Sequence, residues 1–151
     1  MRDVIGWLLV VLQFILLALL ALAGWQVHAW PFVIIGLALV ASGMVLGLKA
    51  FVSLGSALTP TPVPLHGMEL RVQGVYAWVR HPIYSAILLA TLGLLIAAGS
   101  ARGWLVWIVL AIFFVLKSRW EDSLLARTHG AEWELWAART GALIPRGRPP
   151  R

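Results

Sequence analysis

Apolar residues run almost unbroken through four stretches of the chain, while polar residues gather between the second and third stretches and after the fourth. Crossing about 30 Å of hydrocarbon takes roughly 20 apolar residues, and the stretches at about 4–23 and 32–51 meet that length. Residues 82–99 are just long enough. The apolar part of the fourth, Gly103 to Leu116, is short, which predicts a helix that continues past Lys117 into the interface, with its span at about 103–120. Between the last two stretches stands "GSARG", a tight turn that makes them an antiparallel hairpin. Ala21 and Ala23 form a small-residue pattern of the kind seen at signal-peptide cleavage sites, but the apolar run before them exceeds the usual ~7–15 residues, so the segment is read as a retained span.

This pattern predicts an all-α integral membrane protein: a single domain over 1–151 with about four transmembrane helices and a cytoplasmic C-terminal amphipathic helix. The loop 52–81 carries "TPTPVPLHG", whose prolines at 60, 62 and 64 favour an extended path suited to a cavity wall. The segment 121–151 continues the fourth helix to about Thr128, breaks at Gly130 and forms a second helix of about ten residues, ended by Gly141 and Pro145. The tail "RGRPPR" is too polar and proline-rich to pack.

Composition agrees, since 61% of the 151 residues are hydrophobic and 12% are charged, with a mean hydropathy of +0.89. No ordinary soluble domain has this balance. The absence of cysteine removes disulfides, thiolate nucleophiles and thiolate zinc sites together. His28, His66 and His129 share no ligand spacing, so no metal is assigned. The net charge of +6 lies at membrane boundaries rather than on one soluble face, which argues for anionic headgroups and against nucleic acid. Arg2, Lys49, Arg71, Arg80, Lys117 and Arg119 fall at one end of the spans and Arg102 at the other. Basic loops stay in the cytoplasm, which predicts cytoplasmic N- and C-termini and a multi-pass topology.

The chemistry-bearing stretch is "GVYAWVRHPIYSA" at 74–86. Pro82 suits the first helical turn, which puts His81 at the cap, and Tyr84 and Ser85 follow on the same face three and four residues on. The hairpin brings this helix start level with Lys117, Arg119, Glu121 and Asp122 at the end of the fourth helix. Acid, base, imidazole and phenol at one boundary form a grip suited to a small zwitterion. Taken singly, these residues have plainer uses. Arg80, Lys117 and Arg119 suit snorkelling anchors, and Trp133, Trp136, Trp104 and Trp107 suit interfacial belts. Two small-residue stripes, Gly36–Gly43–Gly47 and Ala86–Ala90–Gly93–Ala97, mark close helix packing within one chain or in a homodimer.

Over about residues 59–145 the chain resembles the isoprenylcysteine carboxyl methyltransferase family, whose wider group includes phospholipid N-methyltransferases. The resemblance joins G-x-Y-x-x-x-R-H-P-x-Y, an acidic pair ending a span, and "HGAEWELWAARTGALIP". It implies methyl transfer from S-adenosylmethionine, yielding S-adenosylhomocysteine, at the cytoplasmic membrane face. The acceptor it implies is a lipophilic small molecule or a lipidated molecule arriving from the lipid bilayer. The implied cofactor contacts are Gly74, Val75, Tyr76, His81, Pro82, Tyr84 and Glu121, with Trp136 or Trp133 closing over the adenosine. The implied catalytic set is Glu121 with Arg80 and Arg119, the arginines holding an anionic acceptor group. Relatives often carry glutamate where this chain has Asp122, and glycine where it has Ser85–Ala86. The alternatives are a phospholipid N-methyltransferase, a lipid or sterol reductase using a nicotinamide cofactor, and a non-enzymatic four-span protein.

Overall fold

A computed structural model describes residues 2–55 and 70–146, and every regular element there is helical. The order is α1 (Arg2–Ala21), α2 (Trp30–Leu54), a 3-10 turn (Gly74–Ala77), α3 (Pro82–Ala98), α4 (Ala101–His129) and α5 (Ala131–Ala137). Three of these, α1, α2 and α4, are long and apolar enough to cross a membrane, and α3 is a shorter apolar helix. At 17 residues and about 1.5 Å of rise per residue, α3 is roughly 25 Å long. The all-α fold class read from the sequence stands. The proline-rich "TPTPVPLHG", His66 and the tail beyond Arg146 lie outside the described residues.

The fourth helix runs beyond Lys117 as its polar end requires, and Gly130, at φ +53°, stops it. The helix after that break is seven residues long rather than ten. It ends early because the following backbone pairs elsewhere: Gly141 O accepts from Arg80 N–H at 2.9 Å, and Ala142 O from His81 N–H at 3.0 Å. The C-terminal strand of chain is thereby strapped along the approach to α3.

Two kinds of packing hold the helices. The stripes of small residues on α2 and α3 face each other, so within this chain their partner is intramolecular. A Cβ added to Gly43 would stand 2.8 Å from Ala86 O and 2.9 Å from Ala90 Cβ, and one added to Gly36 would strike Gly93 and Ala97. Backbones this close exclude larger side chains. The other packing is a conventional core of Leu16 and Leu20 from α1, Leu95 from α3, and Leu110, Phe113 and Phe114 from α4. Trp107 belongs to this interior, since its indole N–H donates to Thr91 Oγ1 at 3.1 Å. It faces α3 rather than joining a belt; Trp104 beside it is exposed.

At one end of the bundle the connections are tied by hydrogen bonds to backbone. His28 sets its two ring nitrogens 2.9 Å from Ile96 O and 3.0 Å from Gly99 O. Ser100 caps α4, accepting from Gly103 N–H at 3.1 Å and donating to Ala23 O at 2.8 Å. The turn between α1 and α2 is in this way fastened to the α3–α4 hairpin. The other end, where the α4 tip meets the α3 start, carries the ionisable cluster.

Candidate functional site at the tips of α3 and α4

Pro82 opens α3 and places His81 at its N-cap, but the imidazole makes no capping bond. It turns instead towards the end of α4. Its Nε2 lies 2.9 Å from Asp122 Oδ1, and its Nδ1 lies 3.3 Å from Glu121 Oε2. With a carboxylate oxygen on each nitrogen, the ring is held as an imidazolium that donates on both sides. Burial opposes that charge, but the bonds and charges of Asp122 and Glu121 outweigh it and raise the His81 pKa to about 9.

Asp122 is the centre of the cluster. Besides His81 it takes a forked pair from Arg80, with Nη2 to Oδ2 at 2.8 Å and Nε to both oxygens at 3.2 Å. The remaining arm of Arg80 donates to Ala137 O at 3.2 Å and to Thr140 O, and its guanidinium lies 5.8 Å from the centre of the Trp133 ring. Only 11% of the Arg80 side chain is exposed. A snorkelling anchor would extend into the headgroups; this arginine is turned inwards and fastens α5 and the C-terminal strap to α4.

Glu121 sits on the other side of the imidazole. Tyr84, one turn into α3, donates its hydroxyl to Glu121 Oε2 at 2.9 Å, and its ring stacks on His81 with centres 5.5 Å apart. Among the described residues, the second oxygen, Oε1, takes no hydrogen bond. Tyr76, buried in the 3-10 turn, has its pKa pushed up to about 12, first by burial and then by the negative charge of Glu121, so it remains a neutral phenol. Gly74 begins that turn at φ +63°, a conformation costly for other residues. A side chain there would also approach Ser53 Oγ to 3.1 Å.

Trp136 ties α5 to the same turn, donating its indole N–H to Tyr76 O at 2.9 Å. Trp133 leaves its indole N–H buried without a partner among the described residues. A cavity of about 630 Å³ opens beside the turn, lined by Leu48, Lys49, Val52, Ser53, Gly74, Val75 and Trp78. Gly74 and Val75 therefore line a cavity, while Tyr76 lies buried near Glu121.

Of the residues singled out in the sequence, Arg80, His81, Tyr84 and Glu121 converge, with Pro82 buried at the helix start and Trp136 bonded over the 3-10 turn. Arg119 does not join them: it is exposed and makes no hydrogen bond or ion pair among the described residues. The prominence of Asp122 is greater than its short side chain suggested, since it binds two cations at once. Gln13, on α1, was not foreseen; it accepts a 2.7 Å bond from Lys117 Nζ. The signal for it was present, because it is the one amide or charged residue between Val4 and Ala21.

A family model for phospholipid methyltransferase matches residues 31–132. The match takes in α2, α3 and α4 and stops at the start of α5; α1 lies outside it. A comparison with curated proteins gave no match.

Proposed function

The chain belongs to the phospholipid methyltransferase family, and from that premise we propose that it transfers a methyl group from S-adenosylmethionine to a lipophilic acceptor at one face of the membrane. The observation that carries the reading is the bonded set joining the tips of α3 and α4, Arg80–Asp122–His81–Glu121–Tyr84. The residues suit this cofactor. Glu121 has a carboxylate oxygen left over for an ammonium, and Trp133 has an orphaned indole N–H for an acceptor atom. The 3-10 turn offers backbone beside Tyr76.

When bound, S-adenosylmethionine supplies an electrophilic methyl group on positively charged sulfur. The protein's part is to fix the cofactor, align the acceptor and keep water out. Glu121 is the residue assigned to the cofactor's ammonium, held in place by Tyr84 and His81. Asp122 and Arg80 are positioning residues, because their hydrogen bonds face His81 and the C-terminal strap. Tyr76 and Tyr84 add neutral hydroxyls and ring faces. By the tendency of basic loops to stay in the cytoplasm, the basic end of the spans, and the site with it, is assigned to the cytoplasmic membrane face.

The proton inventory bears on the acceptor. His81 is already protonated at neutral pH, and Asp122 is filled by two cations, so neither acts as a base. An acceptor arriving as an oxyanion, such as a carboxylate, asks for no base at all, which favours the carboxyl-methylating reading. A phospholipid amine would leave Glu121 as the residue to take its proton.

Calorimetric titration of the detergent-solubilised protein with S-adenosylhomocysteine tests the reading. Wild type is expected to bind, and Glu121→Ala to bind at least about tenfold more weakly, the loss of a charge-assisted bond. A folded wild type that gives no heat overturns it.

A further inference from the structure

Lys117 is the buried side chain that the proposed chemistry leaves unexplained. It lies among apolar residues of the bundle at 3% exposure, where an ionisable group is costly and usually functional. A lysine serving as a membrane anchor extends towards the headgroups; this one turns inwards. Its Nζ donates to Gln13 Oε1 at 2.7 Å and stands 4.9 Å from the centre of the Tyr84 ring and 5.8 Å from that of Phe113. Tyr84 passes the contact on, donating to Glu121 Oε2. A continuous series, Gln13 to Lys117 to Tyr84 to Glu121, thus runs from α1 into the cluster.

The family match begins at residue 31 and so omits the helix that supplies Gln13. We propose that Gln13 and Lys117 are positioning residues of the methyl-transfer site, which makes α1 a part of that site. The amide oxygen of Gln13 fixes the ammonium over the Tyr84 ring. A cation on the face of a phenol is attracted to the ring and draws its electron density, which makes the hydroxyl a stronger donor. The strengthened bond holds Glu121 Oε2 on Tyr84 and leaves Oε1 turned to the ligand. Without the amide, the lysine loses its one hydrogen-bond acceptor among the described residues and has no reason to remain at that depth.

The inference rests on the methyltransferase reading, and the same titration with S-adenosylhomocysteine separates the two. In the full-length protein, Gln13→Leu and Lys117→Met are each expected to weaken binding roughly fivefold, while Gln13→Glu, which keeps the oxygen acceptor, stays within about twofold of wild type. In a Tyr84→Phe background, Gln13→Leu is expected to add nothing, because the phenolic hydroxyl through which it acts is gone. Gln13→Leu is the decisive variant, and its unfolding midpoint is measured beside the titration because it leaves the Lys117 ammonium without an acceptor. Binding as tight as wild type in Gln13→Leu overturns the proposal. An undiminished loss in the Tyr84→Phe background also overturns it, since that marks a general structural role. A wild type that binds no S-adenosylhomocysteine overturns the underlying reading, and the proposal with it.

Discussion

At the end of the bundle where α1 meets α2, His28, Ser100 and Trp25 all turn to backbone carbonyls. At the opposite end Arg80, His81, Tyr84, Glu121 and Asp122 turn chiefly to one another. Both ends face the same physical demand, that a polar group withdrawn from water find a partner. A side chain bonded to a carbonyl fastens one loop, and its partner would otherwise lack a donor. Side chains bonded to one another could in large part be replaced by apolar residues of similar volume at little cost in stability. That a membrane protein keeps two acids, an arginine and a histidine in such a cluster therefore points to a ligand. The first end explains the fold, and the second asks for a function.

Breaking the second end gives the largest expected effect. Asp122→Ala leaves the Arg80 guanidinium and the His81 imidazolium without their shared carboxylate and loosens the C-terminal strap that Arg80 holds. Removing one partner of a buried ion pair costs about 3–5 kcal/mol, and a fall in the thermal unfolding midpoint of the detergent-solubilised protein would register it. Asp122→Asn, which retains an oxygen for His81 or Arg80, is expected to lose less. Equal midpoints for Asp122→Ala and wild type would mean that the cluster contributes nothing to the fold.

The same end should make stability depend on pH. His81 titrates near 6.5 in the unfolded chain and about 9 in the folded one. A group whose pKa is raised by folding stabilises the native state fully below its unfolded value, and the contribution is lost as pH climbs through the folded value. Stability should thus decline between about pH 6.5 and 9, by an amount on the order of a few kcal/mol. In His81→Gln the decline over that window should flatten. A wild-type profile that rises through the window would contradict the imidazolium assignment.

How far these features were legible in the sequence follows from their range. Helix number and order, the continuation of α4 past Lys117 and the stop at Gly130 are local matters, decided by apolar run length and a single glycine. The meeting of His81, Tyr84 and Glu121 was also within reach, because the short turn in "GSARG", of which only Gly99 and Ser100 lie between the helices, leaves α3 and α4 no choice but to run side by side. Other features needed three dimensions. Spacing alone could not show whether the stripe of Gly36 and Gly43 packs within the chain, as it does against Gly93 and Ala86, or against a second copy. The direction of Arg80 was hidden too, since the carbonyls of Ala137 and Thr140 that draw it inwards are more than 50 residues away. Gln13 and Lys117 stand 104 residues apart, and only the packing of α1 on α4 joins them.

The smallest effect belongs to the fastening end, and it sharpens the contrast because it should separate stability from binding. Ser100→Ala removes the N-cap of α4 together with the bond to Ala23 O. Loss of a serine cap costs about 1 kcal/mol, up to about 2 where further bonds depend on it. The unfolding midpoint should drop by about 2–8 °C, at about 2–4 °C per kcal/mol for a chain of this size. Affinity for S-adenosylhomocysteine should stay unchanged, since nothing at this end touches the cluster. If Ser100→Ala weakened binding as much as Gln13→Leu, the two ends would be coupled through the bundle. The division between an end that fastens and an end that binds would then fail.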